Sequence, residues 1–309
     1  IGGIGDDSLW GRGGNDRIEG GDGADLIAGG PGDDILTDLA GPDVIEGGSG
    51  NDAIHSGNEE DVIFGDEGND FMVNSSELGE MFAGEGDDYI LDGVHLGHQR
   101  GGGGDDWMEN LGGGEDLWQG DHGAAAEAGE PAHKGNDVLI AWAGNNDGDM
   151  ENGDDIVVDG PGIERAEGQL GFDWISFEKD RFGVNVDLDL TIFLRPQLPP
   201  SNNTIANRYD RVEAISGSPM GDIIRGTGNA PGTDRGNELQ NFGLITGLDE
   251  LIPAGERVDC LPDVVTGEAA PAGSMCWSGG DIILGGDGSD LLVGEDGHGR
   301  SNARADARA

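Results

Sequence analysis

Apolar residues recur along the chain every nine positions. Written in nines from Gly2, rows begin at Gly2, Gly11, Gly20, Gly29, Asp38, Gly47, Ser56, Gly65, Asn74, Ala83, Asp92 and Gly101, twelve rows in one phase. Position 8 reads Leu9, Ile18, Ile27, Leu36, Ile45, Ile54, Ile63, Met72, Met81, Ile90, Gln99 and Met108. Position 6 reads Asp7, Asp16, Asp25, Asp34, Asp43, Asp52, Asp61, Asp70, Gly79, Asp88, Gly97 and Asp106. Each row predicts one turn and one very short strand. Glycines serve the turn, where the backbone visits positive φ or approaches a neighbour closely. Triplets such as Asp25-Leu26-Ile27 and Asp61-Val62-Ile63 form the strand, and alternation turns position 8 inward. The pattern G-G-x-G-x-D-x-U-x, with U apolar, is that of calcium-binding nonapeptides coiled into a parallel β-helix. The predicted class is therefore all-β, a β-solenoid.

The period divides the chain. Residues 1–123 form a first block, which ends after a one-residue slip in a row holding Asp116. An Ala/Gly/Glu-rich stretch, 124–131, interrupts it. A second block, 132–176, carries Asp137, Asp155 and Asp173 at position 6, alternating with Asn146 and Glu164. Residues 177–225 lose the nines; Val184-Asn185-Val186-Asp187-Leu188-Asp189-Leu190 alternates as a strand does, and the segment ends in a row with Asp222. Residues 226–277 read as an irregular insertion holding both cysteines, 278–299 as final rows with Asp281 and Asp290, and 300–309 as a frayed polar tail.

Charge makes the periodicity chemical. The 309 residues include 63 Asp+Glu against 16 Lys+Arg, a formal net charge of −47. So acidic a chain is no nucleic-acid binder, because no basic stripe neutralises phosphates. No apolar run is long enough to span a membrane, and the amino terminus carries no signal-peptide pattern. If two rows make one coil, aspartates eighteen residues apart stack, and stacked carboxylates need a hard cation between them. Calcium fits, since it takes six to eight oxygens in flexible geometry, whereas magnesium demands an octahedron and sheds water reluctantly. Zinc and copper call for clustered His or Cys, which the rows lack.

The eighteen-residue register separates two edges. One carries Asp16, Asp34, Asp52, Asp70, Asp88 and Asp106 without a break, each two residues after Gly14, Gly32, Gly50, Gly68, Gly86 and Gly104. The other begins with Asp7 and Asp25, weakens at Asp38-Leu39-Ala40 and at Ser56-Gly57-Asn58-Glu59, and fails at Gly79 and Gly97. One continuous and one partly decayed calcium ladder are expected. Roughly ten or more ions, each shared between turns, would cancel about half of the charge. Without them, self-repulsion and glycine entropy favour an extended chain, so binding free energy becomes folding free energy. Extracellular modules work at roughly 10⁻⁴–10⁻³ M calcium.

These rows resemble the RTX (repeats-in-toxin) family over roughly 1–176 and 279–294. The resemblance implies a right-handed parallel β-roll filled with calcium, export by a type I secretion apparatus, and an extracellular or cell-surface location. It also implies that the position-6 aspartates and turn carbonyls at the neighbouring glycines are the ligands. Phe172-Asp173-Trp174-Ile175-Ser176-Phe177 and Gly183-Val184-Asn185-Val186-Asp187-Leu188, followed by Gly217-Ser218 and Asp222, look like a connector found in RTX proteins. The run Leu239–Leu248 leading to Ser278–Gly286 is similar to RTX tails of bacterial animal-type haem peroxidases. On that resemblance the peroxidase domain lies upstream and no haem is expected in this chain; an adhesin or surface-layer segment is the other alternative. The chain opens inside a repeat and ends rich in Ala and Arg, which reads as a piece of a longer protein.

Other chemistry finds little footing. No His-Glu-x-x-His occurs and neither lysine sits in a phosphate loop. The EF-hand-like start at Asp147 has no glycine at position 6 and ends on Val158. His95 and His98 suggest a transition-metal pair, read against exposed turn residues where calcium binding has lapsed. The tryptophans suggest carbohydrate platforms, read against core or capping packing, with Trp118 at an inward position and Trp10 and Trp107 flanking it. Cys260 and Cys276 are candidates for a disulfide closing a loop of about 15 residues, worth roughly 3 kcal/mol, or are two independent thiols. No catalytic constellation emerges, and the chain is expected not to be an enzyme.

Overall fold

Very short parallel strands, each paired with the strand one coil away, build the computed structural model. It describes residues 1–75, 78–93, 96–112, 116–121, 135–162, 165–168, 173–188, 208–210, 212, 214–226, 238–239, 257–259, 275–277, 282–286, 288–289, 291–293 and 302–304. The described residues contain no helix. The chain forms two compact units, Ile1–Asp149 and Met150–Ala309.

In the first unit alternate rows feed two parallel sheets. One stacks Arg17–Glu19, Ile35–Thr37, Ala53–His55, Phe71–Asn74, Tyr89–Asp92, Trp107–Asn110 and Val138–Ala141; the other stacks Ser8–Trp10, Leu26–Pro31, Val44–Ser49, Asp61–Glu67, Leu78–Glu85, Leu96–Gly103, Leu117–Asp121 and Asp147–Asp149. The register is the predicted eighteen: Leu36 aligns with Ile54, Ile54 with Met72, and Met72 with Ile90. On the second sheet Ile27 aligns with Ile45 and Ile45 with Ile63. Two rows thus make one coil of a β-roll. The one-residue slip appears as Gln99 aligned with Trp118, and residues 122–134 are passed by aligning Met108 with Leu139.

The core is a single file of position-8 side chains. Ile27, Leu36, Ile45, Ile63, Met72, Met81, Ile90 and Met108 are fully buried, while the position-7 residues Leu26, Ile35, Phe71 and Trp107 stay exposed. A coil is therefore too thin to stand alone, and its stability comes from its neighbours. The turns explain the glycines. Gly32 has φ +137° and Gly50 φ +125°, and a Cβ on either would drive into the carbonyl oxygen of the glycine one coil earlier, Gly14 or Gly32. Both the dihedral and the close stacking demand glycine.

The second unit continues the parallel habit with less regularity. Ile156–Val158, Trp174–Ser176, Ala214–Ser216, Ile282–Leu284 and Asn302–Arg304 pair successively, aligning Ile175, Ile215 and Ile283. The alternating stretch expected as a strand supplies Asn185–Asp187, which pairs with Ile223–Arg225 and through it with Leu291–Val293. Two readings change here. The segment taken as irregular, 226–277, contains an antiparallel sheet of Glu238–Leu239, Met275–Trp277 and Arg257–Asp259. Its strands are too short to show an alternation in sequence. The tail taken as frayed supplies Asn302–Arg304, whose Ala303 aligns with Ile283: parallel pairing to an existing edge recruits residues with little strand propensity of their own.

Candidate metal centre

The stacking of coils dictates where the aspartates go. On the unbroken edge each position-6 carboxylate reaches back one coil and its Oδ1 accepts the backbone N–H of the aspartate there. Asp34 receives Asp16 at 2.7 Å, Asp52 receives Asp34 at 2.7 Å, and Asp70 receives Asp52 at 2.8 Å. Asp88 receives Asp70 at 2.7 Å, Asp106 receives Asp88 at 2.9 Å, and Asp137 receives Asp106 at 2.9 Å. The last step spans 31 residues instead of eighteen, so the column carries on past the interruption. In the second unit Asp173 likewise receives the Asp155 amide at 3.1 Å.

On the other edge Asp25, Asp43 and Asp61 receive the amides of Asp7, Asp25 and Asp43 at 2.8, 2.7 and 3.0 Å. Gly79 and Gly97 then provide no carboxylate. The pattern resumes with Asp116, which receives Gly97 at 2.7 Å, and passes to Asn146, which receives Asp116 at 3.3 Å. Asp222 is held differently. Its oxygens accept Ser218 N–H (2.9 Å), Ser218 Oγ–H (2.8 Å) and Val184 N–H (2.8 Å), tying the connector strand to its row. Asp281, Asp290 and the Cys260–Cys276 pairing lie outside the described residues and side chains.

Each carboxylate of these edges has a second oxygen, and those oxygens define the chemistry. The Oδ2 atoms of Asp16, Asp25, Asp34, Asp43, Asp52, Asp61, Asp70, Asp88, Asp106 and Asp116 are buried without a hydrogen-bond partner, as is that of Asp38. Those of Asp16, Asp25, Asp34, Asp52, Asp70 and Asp106 lie in hollows left by position-1 glycines: a Cβ on Gly29, Gly47 or Gly65 would collide with Oδ2 of Asp34, Asp52 or Asp70. The rows of Asp43, Asp61 and Asp88 begin instead at Asp38, Ser56 and Ala83. Burial raises the carboxyls, to about 6 for Asp52 and Asp61 and about 7 for Asp70, Asp88 and Asp116. It raises Asp43, Asp106 and Asp137 as well, with Asp137 beside Asp106 adding repulsion. The amide bond from the preceding coil opposes the rise but does not reverse it. Buried oxygens that lack donors and repel one another suit a hard cation, and they suit calcium with its many oxygen ligands. The position-4 glycines leave their carbonyls stacked along the same edge, with Gly14 O against Gly32, Gly32 O against Gly50, Gly50 O against Gly68, Gly68 O against Gly86 and Gly86 O against Gly104.

Three side-chain columns escape a reading of the nonapeptide pattern alone. At position 1 of alternate rows Asp38, Ser56, Asn74, Asp92 and Asn110 form a buried polar file behind the weaker edge. Ser56 Oγ donates to Asn74 Oδ1 (3.1 Å), Asn74 Nδ2 to Asp92 Oδ1 (3.0 Å), and Gln99 Nε2, from an inward position, to Asp92 Oδ2 (2.8 Å). The eighteen-residue spacing of these non-glycine row starts was the available signal. At position 5 of the stronger edge, exposed Asn15, Asp33, Asn51, Asn69, Asp87 and Asp105 each accept the amide one coil further on. On the outer face Phe71 stacks on Tyr89, ring centroids 5.1 Å apart, and Glu109 accepts both Trp107 Nε1 (2.8 Å) and Trp142 Nε1 (3.3 Å).

Two histidines, His55 and His98, are among the described residues. His55 is exposed, and His98 lies edge-on to Phe82 with centroids 5.7 Å apart; His95 is outside the described residues. Trp118 is in the core, whereas Trp10 and Trp107 are exposed. No helix among the described residues is long and apolar enough to cross a membrane.

Four copies of the RTX calcium-binding nonapeptide repeat match the chain, over residues 1–36, 39–72, 132–157 and 278–299. No curated protein and no solved structure matches it.

Proposed function

Because the chain is an RTX calcium-binding β-roll, we propose that it is a module whose folding is driven by calcium, within a protein exported by a type I apparatus and at work outside the cell. One observation carries this reading: the two edges bury rows of carboxylate oxygens that no protein donor satisfies. Bound calcium would supply the positive charge these oxygens lack. The chain's own part is to hold them ready. From Asp25 and Asp34 onward the Oδ1 atoms are fixed by amides of the preceding coil; where position 1 is glycine, Oδ2 is seated in the hollow it leaves; and the position-8 side chains close the coil beneath.

Metal-free, a net charge of −47 on a narrow core opposes compaction. Extracellular calcium, at roughly 10⁻³ M, reaches the range in which such modules bind. The chain would then remain extended before export and fold after it. In this reading the acidic residues are ligands and structural acceptors, not acid–base catalysts. Circular dichroism of the full chain across a calcium titration, with magnesium as control, tests it. A cooperative gain of β-signal with calcium and none with equal magnesium is expected; a fold that persists unchanged in excess chelator overturns it.

A further inference from the structure

We propose that Asp25, Asp38 and Asp43 form a three-carboxylate calcium site, unlike the rest of either edge, and that this site takes the first ion the chain binds. The inference rests on the reading of the edges as calcium sites and adds to it a ligand and an order of loading. At position 1 the repeat otherwise places glycine, as at Gly20, Gly29 and Gly47, or a neutral side chain, as at Ser56 and Asn74; Asp38 and Asp92 are the two acids of the first twelve rows.

Those two acids have opposite surroundings. Beside Asp92, position 6 has lapsed to Gly79 and Gly97, and both Asp92 oxygens are taken by amide side chains, Asn74 Nδ2 at 3.0 Å and Gln99 Nε2 at 2.8 Å. Beside Asp38, position 6 is intact. One oxygen each of Asp25, Asp38 and Asp43 lie mutually within 4.8 Å. Their Oδ1 atoms are all held by backbone amides of earlier residues: Asp7 N–H to Asp25 (2.8 Å), Gly21 N–H to Asp38 (2.8 Å) and Asp25 N–H to Asp43 (2.7 Å). Their Oδ2 atoms have no hydrogen-bond partner although the residues are only 4%, 2% and 1% exposed.

Calcium–oxygen bonds of roughly 2.3–2.6 Å let a single ion reach oxygens about 5 Å apart. The donor set is oxygen only, which disfavours softer metals. Charge count is what tunes affinity among calcium sites built from the same ligands, and among the described residues this is the one place where three acids converge so closely. The aspartate that reads in sequence as a lapse of the glycine rule is thus an added ligand.

Stepwise calcium binding to the full chain, by calorimetry and by competition with a chromophoric chelator, tests this with Asp38→Asn, Asp38→Gly and Asp33→Asn. Asp38→Asn keeps an acceptor for the Gly21 amide, and Asp38→Gly restores the usual residue of the repeat. Asp33→Asn removes one exposed charge at a position that holds Asn in other coils. Both Asp38 variants are expected to weaken the tightest step on the order of tenfold or more, while later steps and the calcium-induced β-signal persist. Asp33→Asn should leave the tightest step in place. An unchanged tightest step in the Asp38 variants overturns the site, as does loss of all calcium-induced structure in Asp38→Gly, since two-carboxylate steps would then not suffice. Failure of the wild-type chain to bind calcium at all would instead sink the reading on which the site depends.

Discussion

A single aspartate of the stronger edge does two jobs that pull against each other. Asp52 Oδ1 secures the Asp34 amide at 2.7 Å, a neutral and local task, while Oδ2 is buried without a donor and burial raises the carboxyl to about 6. Asparagine keeps the first job and drops the second. Asp52→Asn is therefore expected to make the metal-free chain more resistant to heat at pH 8, on the order of a few degrees, and to shrink the gain that calcium brings. Melting curves in chelator and in saturating calcium give both numbers. A variant less stable than wild type in chelator would mean that the ionised oxygen has a partner within the protein, contrary to its surroundings here. The same logic separates Asp52 from Asp222, whose oxygens already accept Ser218 and Val184 donors.

At the scale of the coil, the weaker edge is an alternative construction and not mere erosion. Gly79 aligns with Asp61 before it and Gly97 after it, and the hollow a Gly79 side chain would need is filled by the Asn74 amide. Gly79→Asp alone should then lower thermal stability and add no ion. Combined with Asn74→Gly it should reopen the hollow and raise the bound calcium by at least one per chain, measured by equilibrium dialysis with elemental analysis; an added ion in the single variant would refute the steric account. Much of this element was legible beforehand. Ile45 over Ile63 and Asp34 over Asp52 follow from a period of nine, because two rows per coil fix the register to eighteen. The file from Asp38 to Asn110 was not, since Ser56, Asn74 and Asp92 look in sequence like worn glycines, and only stacking reveals that they hydrogen-bond to one another. Glu238–Leu239 and its partners were hidden for a different reason: their pairing is non-local and each strand is two or three residues long.

Across the whole molecule the acids act together, and protons and calcium compete for them. An aspartate in the unfolded chain titrates near 3.9, whereas burial holds Asp52 and Asp61 at about 6 and Asp70, Asp88 and Asp116 at about 7 in the metal-free fold. Between those values the folded chain binds more protons than the unfolded one, so stability falls as pH rises. The contribution is complete below about pH 4 and is lost as pH climbs through 6 to 7; the raised Asp43, Asp106 and Asp137 act in the same direction. Lowering the −47 charge by protonation adds to the effect. In excess chelator the chain is thus expected to gain β-signal from pH 8 down to pH 4, the reverse of ordinary acid denaturation. Calcium needs the ionised form, so its binding at pH 7 should release protons, read as a dependence of calorimetric heat on the ionisation enthalpy of the buffer. Acid unfolding of the metal-free chain, or calcium binding without proton release, would show that the stacked carboxyls are ionised in the fold before any ion arrives, and the burial that defines the two edges would then need another source of compensating charge.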